Sequence, residues 1–155
     1  MSKIRFRKYS SKDAEIFKAL NIEWLEMYFE VEPIDKRVLN NPQNEILQPG
    51  GYIFMAELKE EIIGTFAYIK KGHRLYEFSK MAITPNYRGL GYGNIMMQFA
   101  IEFAEKHYWE KIVLYSNTIL ENSIHLYRKY GFTEVQMESN LIYSRGNIKM
   151  ELDLI

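Results

Sequence analysis

The chain has 155 residues, 47% apolar and 26% charged, the balance of an ordinary globular domain. Twenty Lys and Arg offset twenty Asp and Glu, so it lacks the basic footprint by which proteins neutralise nucleic-acid phosphates. It has no cysteine, which excludes a disulfide framework, a thiol nucleophile and a thiolate zinc site, and no run approaches the roughly 18 apolar residues of a membrane span. Residues 1–155 are expected to form one domain. A cytoplasmic location is expected too, because Met1-Ser2-Lys3-Ile4-Arg5-Phe6 lacks the apolar stretch of a secretory signal.

Ile4 to Arg7 alternates apolar and basic residues and predicts a first strand. Ser10 and Asp13 have the Ser-x-x-acid spacing of a helix cap, and the helix they open carries Ile16, Leu20, Trp24 and Met27 on one face. It stops before Pro33, and a short helix and loop follow through Pro42 and Pro49-Gly50-Gly51. Tyr52 to Glu57 and Ile62 to Ile69 predict a hairpin across Lys59-Glu60-Glu61. Lys71-Gly72 turns the chain into a strand over Leu75 to Thr84, which Pro85 ends for want of an amide donor. A helix follows from about Gly91 to His107, with Met96, Ala100 and Phe103 on one face. A strand over Lys111 to Tyr115, a helix over Asn122 to Lys129 and two closing strands complete the order. In the last strand Ile148, Met150, Leu152 and Leu154 alternate with charged residues. The order predicts an α+β fold with a central mixed, mostly antiparallel sheet and helices on both faces.

Arg88-Gly89-Leu90-Gly91-Tyr92-Gly93-Asn94 stands where a strand has ended and a helix begins. Its glycines allow conformations closed to other residues and bring amides near a ligand, while the helix start supplies free donors. That is a site for phosphate or pyrophosphate. A P-loop is excluded because no Lys-Ser or Lys-Thr follows. A dinucleotide fingerprint is excluded because the third glycine falls one residue early.

Arg88 through Gly93 resembles the Arg-x-x-Gly-x-Gly coenzyme A signature of the GNAT superfamily of N-acetyltransferases. Leu126-Tyr127-Arg128-Lys129-Tyr130-Gly131-Phe132 is similar to the family's Leu-Tyr-x-x-x-Gly-Phe, in the expected order and separation. The resemblance covers essentially the whole chain and implies acetyl transfer from acetyl-CoA. It implies that Arg88, Gly89, Leu90, Gly91, Tyr92, Gly93 and Asn94 hold the pyrophosphate. Many family members carry Lys or Arg where Asn94 stands. The pantetheine arm falls to the backbone of Met81, Ala82 and Ile83.

Tyr127 corresponds to the family's general acid, although an aromatic at helical spacing from Ile124 also suits a core. The family's pantetheine-binding Asn is replaced by Leu120. Asn117 and Asn122 flank that position as substitutes, while Thr118-x-x-Glu121 equally reads as a helix cap. Glu77, where some members place a base, is the first choice for that role, with Glu57 and Glu30 behind it and water as the alternative. A solvated acid at a strand start fits Glu77 as well. His73, His107 and His125 have no ligand spacing, so no metal is expected.

The expected acceptor is a primary amine, on a small molecule or on a protein or peptide. Glu30, Glu32 and Asp35 make its neighbourhood acidic, which favours a cation. Neither nucleic acid nor membrane is an expected partner, and Lys3, Arg5, Arg7 and Lys8 read as a solvated strand edge. The sequence leaves the oligomeric state open, although the alternating last strand could pair with a second subunit in a homodimer. The contrasting reading is a catalytically silent CoA-binding sensor or interaction module.

Overall fold

Alternation of apolar side chains at a period of two lets strands gather into one sheet with a buried surface on each face. A computed structural model describes residues 3–139 and 145–155. Among them run β1 (Arg5–Lys8), β2 (Tyr52–Leu58), β3 (Glu61–Gly72), β4 (Leu75–Ile83), β5 (Lys111–Ser116), β6 (Thr133–Val135) and β7 (Ile148–Asp153). Their spatial order is β1-β2-β3-β4-β5-β7-β6, and only β4 and β5 are parallel neighbours. The helices are α1 (Ala14–Tyr28), α2 (Pro33–Asn40), α3 (Tyr92–Lys106) and α4 (Glu121–Lys129). This is the expected mixed, mostly antiparallel architecture.

Opposite faces of β2 show how the helices are shared. Phe54, Ala56 and Leu58 pack with Met96, Met97, Ala100 and Ala104 of α3. Ile53 and Met55 pack with Phe17 and Leu25 of α1 and with Val38 and Leu39 of α2. Tyr68 is fully buried, and its hydroxyl donates to the Ala100 carbonyl at 2.8 Å, tying β3 to α3 without an unsatisfied polar group.

The Asp13 carboxylate accepts the Ser10 amide at 2.8 Å, the predicted cap, and one 3-10 turn precedes α1. Pro33 begins α2, the short helix expected after α1, since its missing N–H is no loss in a first helical turn. Arg7 reaches Asp13 with two 2.8 Å bonds and also binds Glu57, which Arg5 joins. The basic strand is therefore cross-linked by ion pairs rather than simply solvated. The last strand is not an edge: β7 pairs with β5 on one side and β6 on the other. Edge-to-edge association must use β1 or β6.

Two irregularities shape the site. β4 and β5 pair only from Leu75↔Lys111 to Glu77↔Val113 and then part, leaving one backbone edge of β4 facing a cleft. Opposite β3, Thr65 pairs with Ala82 and Ala67 with Ser79, so Lys80 and Met81 together face Phe66. That is a bulge, and Lys80 sits in it with φ +57°.

Candidate active site

The glycine turn presents a donor-rich concavity. Gly89 and Gly91 have φ of +74° and +89°, and a Cβ on either meets nothing within 4 Å. Conformation, not crowding, requires glycine there, and the space beside the turn is open to a ligand. Gly91 precedes α3 without a side-chain cap, so the amides of Tyr92, Gly93 and Asn94 lie in a first turn that no helical carbonyl reaches. Leu90, between the two glycines, is 64% exposed.

Arg88 fits an anion as well. Its Nε donates to the Ile83 carbonyl at 2.6 Å, while Nη2 is buried without an acceptor among the described residues. Such an orphaned guanidinium nitrogen suits a pyrophosphate. Asn94 carries no charge, but its Oδ1 accepts from Lys129 Nζ at 2.8 Å. A cation therefore reaches the start of α3 from α4.

Two cavities meet in the cleft. One, of about 240 Å3, is lined by Met81, Ala82 and Ile83 of β4, by Arg88, Gly89, Tyr92 and Gly93 of the turn, and by Asn122. The other, of about 130 Å3, is lined by Asp35, Glu77, Lys80, Tyr115, Asn117 and Arg145, among others. Trp24, Met81 and Tyr127 line both. The two proposed asparagines are thus separated. Asn122 faces the turn, whereas Asn117 faces the second cavity and donates to the Arg145 carbonyl at 2.6 Å. Thr118 does not cap α4: its amide donates to Asn147 at 2.9 Å, and Leu120 holds the cap position.

Tyr127 stands at the junction, 8% exposed. Burial pushes its phenol up to about 12, against the opposing effect of a hydrogen bond with Ser123, so it keeps its proton at neutral pH. Burial likewise raises Glu77 above its ordinary range, while Lys71, at 3.6 Å, restrains the shift. The other proposed bases lie elsewhere. Glu57 is held ionised by Arg7, and Glu30 is exposed and lines neither cavity.

Two cations of the second cavity escape sequence reasoning. Lys80 is pushed down to about 8 by burial, with the Arg145 charge acting in the same sense and the Asp35 and Glu77 carboxylates opposing. Its signal was a lysine at even spacing from Tyr76, Phe78 and Ala82, in step with apolar residues along the sequence. Arg145 binds Asp35, itself 0% exposed, with bonds of 2.8 and 2.7 Å, and Glu32 at 2.9 Å. In the neighbourhood expected to be acidic from Glu30, Glu32 and Asp35, one guanidinium therefore offsets one of the carboxylate charges and ties Glu32 and Asp35 into the fold. No local pattern announces a pair 110 residues apart. Among the described residues, no group of three His, Asp or Glu side chains is placed to hold a metal.

Residues 16–132 match the model of the acetyltransferase (GNAT) family. The chain belongs to that family. Over 99% of its length it superposes on all of a GNAT acetyltransferase from Staphylococcus aureus, at 19% identity and a TM-score of 0.86. It likewise superposes on the spermidine N-acetyltransferase of Vibrio cholerae in complex with CoA and spermine. There the identity is 22%, the TM-score 0.74, and the match covers 97% of this chain and 95% of that one. In sequence, 91 residues, 57% of this chain, are 29% identical to the N-acetylaspartate synthetase of Xenopus tropicalis and span 33% of that protein. Acetyl-CoA is the donor this family uses.

Proposed function

We propose that this acetyltransferase transfers acetyl from acetyl-CoA to a primary amine by direct attack, with no acyl-enzyme. The observation that carries the reading is the position of Tyr127, which lines both the cavity at the glycine turn and the cavity containing Glu77. A donor lying along the turn and an acceptor beside Glu77 meet at its hydroxyl.

The turn amides and Arg88 hold the pyrophosphate, and the unpaired edge of β4 over Met81, Ala82 and Ile83 receives the pantetheine arm. Asn122 is placed to assist there, whereas Asn117 braces the acceptor cavity. The ammonium first loses one proton to solvent, and Glu77 takes a second from the amine nitrogen as the N–C bond forms. The C–S bond breaks, its electron pair remains on sulfur, and Tyr127 donates its proton there. Both residues then exchange with solvent, so acetyl-CoA and an ammonium give an acetamide, CoA thiol and one proton.

The names of the relatives span two acceptor chemistries, a polyamine and an amino acid. Self-association is part of the same reading: another solved spermidine N-acetyltransferase of Vibrio cholerae is dodecameric, and β1 and β6 are edges that a second copy would extend.

The test is thiol release from acetyl-CoA over an amine library, together with calorimetry of acetyl-CoA binding. Turnover with at least one amine is expected. Tight binding without turnover on any amine would instead establish a silent CoA-binding module.

A further inference from the structure

The walls of the second cavity select among acceptor chemistries. We infer that the acceptor is a small primary monoamine whose apolar body, no larger than a single aromatic ring, packs on Trp24 and Phe29 while its nitrogen turns to Glu77; the assignment rests on the amine acetyltransferase activity proposed for this cleft.

The apolar wall begins in the sequence of α1. Trp24 and Tyr28 share one helix face, with ring centroids 5.3 Å apart. The helix then ends. The Phe29 amide still donates to the Leu25 carbonyl at 2.7 Å, but its backbone is extended and its ring lies 5.8 Å from that of Trp24. Trp24 and Phe29 line the cavity, as do Met81 of β4 and Leu120 ahead of α4. All four are half-buried, so apolar surface remains that a ligand would remove from water.

The polar side chains of the same cavity are engaged with the protein. Asn21 donates to the Phe17 carbonyl at 3.1 Å, Tyr115 to Glu138 at 2.8 Å and Asn117 to the Arg145 carbonyl at 2.6 Å. Asp35 accepts two bonds from Arg145 and one from the Glu32 amide. Lys80 and Arg145 each have partners within the chain. The second ammonium of a polyamine would compete with Arg145 for Asp35. The carboxylate of an amino acid would compete with the partners that Lys80 and Arg145 already hold. A monoamine does neither. Its nitrogen needs only Glu77, whose contact with the partly exposed Lys71 is 3.6 Å long.

Size agrees with this chemistry. A cavity of about 130 Å3 is close to the ~150 Å3 that, walled by Leu, Ile and Phe, admits benzene. Trp24 also lines the cavity at the glycine turn, so a body packed on it lies beside Tyr127, where acetyl transfer is proposed.

Two matched pairs carry the experiment, thiol release from acetyl-CoA by the full chain. Phenethylamine is compared with phenylalanine, which adds a carboxylate, and butylamine with putrescine, which adds an ammonium. In each pair the apolar monoamine should be favoured by about 10-fold or more in kcat/KM. From ethylamine to butylamine kcat/KM should rise about fourfold per methylene. Phe29 lines the acceptor cavity alone, so Phe29→Ala should lower kcat/KM for phenethylamine by about 5–20-fold, through KM, with acetyl-CoA affinity unchanged by calorimetry. Phe29→Leu should restore part of the loss, and thermal unfolding confirms that both variants are folded. In parallel, calorimetry with CoA present measures the N-acetyl derivatives of phenethylamine, phenylalanine and putrescine on wild type and Phe29→Ala. Tightest binding of N-acetylphenethylamine, weakened in the variant, is expected even if no amine turns over. That combination would overturn the transferase reading while upholding the apolar site. Turnover that is best with phenylalanine or putrescine would do the reverse. The apolar site would also fall if rates were flat across the alkyl series, if Phe29→Ala kept the wild-type KM, or if no acetamide bound.

Discussion

Lys129, at the end of α4, reaches Asn94 in the first turn of α3, Nζ to Oδ1 2.8 Å, and so holds a cation where the pyrophosphate is proposed to bind. Lys129 also lies 5.7 Å from the Tyr130 ring centroid, and Tyr130 donates to the Asn94 carbonyl at 3.2 Å. Lys129→Gln should weaken acetyl-CoA binding by about 3–10-fold at low salt, the worth of one exposed charge near a helix start. The deficit should shrink as ionic strength rises. Calorimetry at two salt concentrations checks it. A salt-independent deficit would make Lys129 a brace for the turn and nothing more.

The two ends of the glycine turn should respond differently to substitution. Gly91 has φ +89°, so Gly91→Val should cost about 1–2 kcal/mol of stability and weaken acetyl-CoA binding together. Gly93 is helical, and a Cβ there meets Met81 and Leu126 at 3.6 and 3.7 Å, ordinary contact. Gly93→Ala should therefore leave the fold as stable or raise it by up to about 1 kcal/mol, since alanine is the better helix former. An affinity loss in Gly93→Ala is then a direct readout of ligand proximity. Denaturant titration and calorimetry on both variants separate the two effects.

The same contrast explains how much was legible in the sequence. Arg88 to Asn94 is a local pattern between a strand and a helix, and local conformational demands survive in any tertiary setting. The β2–β3 hairpin was equally visible, with Lys59 and Glu60 both at positive φ in its turn. Long-range facts were not. Nothing in the alternation of β7 says that β6 closes over its far side. Thr118 has the spacing of a cap, yet Asn147 claims it from across the site. Asp35 and Arg145 look like unrelated surface charges until the fold joins them. Lys80 was the nearest miss, because a lysine in step with Tyr76, Phe78 and Ala82 is itself an anomaly in the sequence.

Glu77 is raised by burial, and its consequences for rate and stability have opposite signs. If it is the base, Glu77→Gln should lower kcat/KM at neutral pH and flatten the acid limb, which should lie above the ordinary carboxylate range. Stability should move the other way. A folded-state pKa above the unfolded value means that Glu77 stabilises fully below about 4.5, its ordinary value, and that this contribution is lost as pH rises through the raised value. At neutral pH the buried carboxylate is a liability, so Glu77→Gln should raise Tm there. The gain should vanish near pH 4. Its loss of the partly exposed Lys71 is a small deduction. An unchanged pH–rate profile would leave water as the proton acceptor.

Tyr127→Phe should separate catalysis from binding. Negative charge reaches the CoA sulfur only as the thioester breaks, so a hydroxyl placed there acts mainly in the transition state. Removing such a donor typically costs about 10²–10⁴-fold in rate. The ring lies in the main core cluster, 6.0 Å from the Phe132 ring, and phenylalanine keeps that packing. The hydroxyl's bond with Ser123 is the one structural loss, and it should cost about 1 kcal/mol. Acetyl-CoA affinity should therefore be nearly unchanged while kcat falls. Since burial holds the phenol at about 12, its ionisation should not shape the rate below about pH 10. Turnover and calorimetry on both proteins decide the matter. Wild-type kcat in the variant would make Tyr127 a core residue and the thiolate an unassisted leaving group. Joint loss of affinity and rate would make it a pantetheine contact.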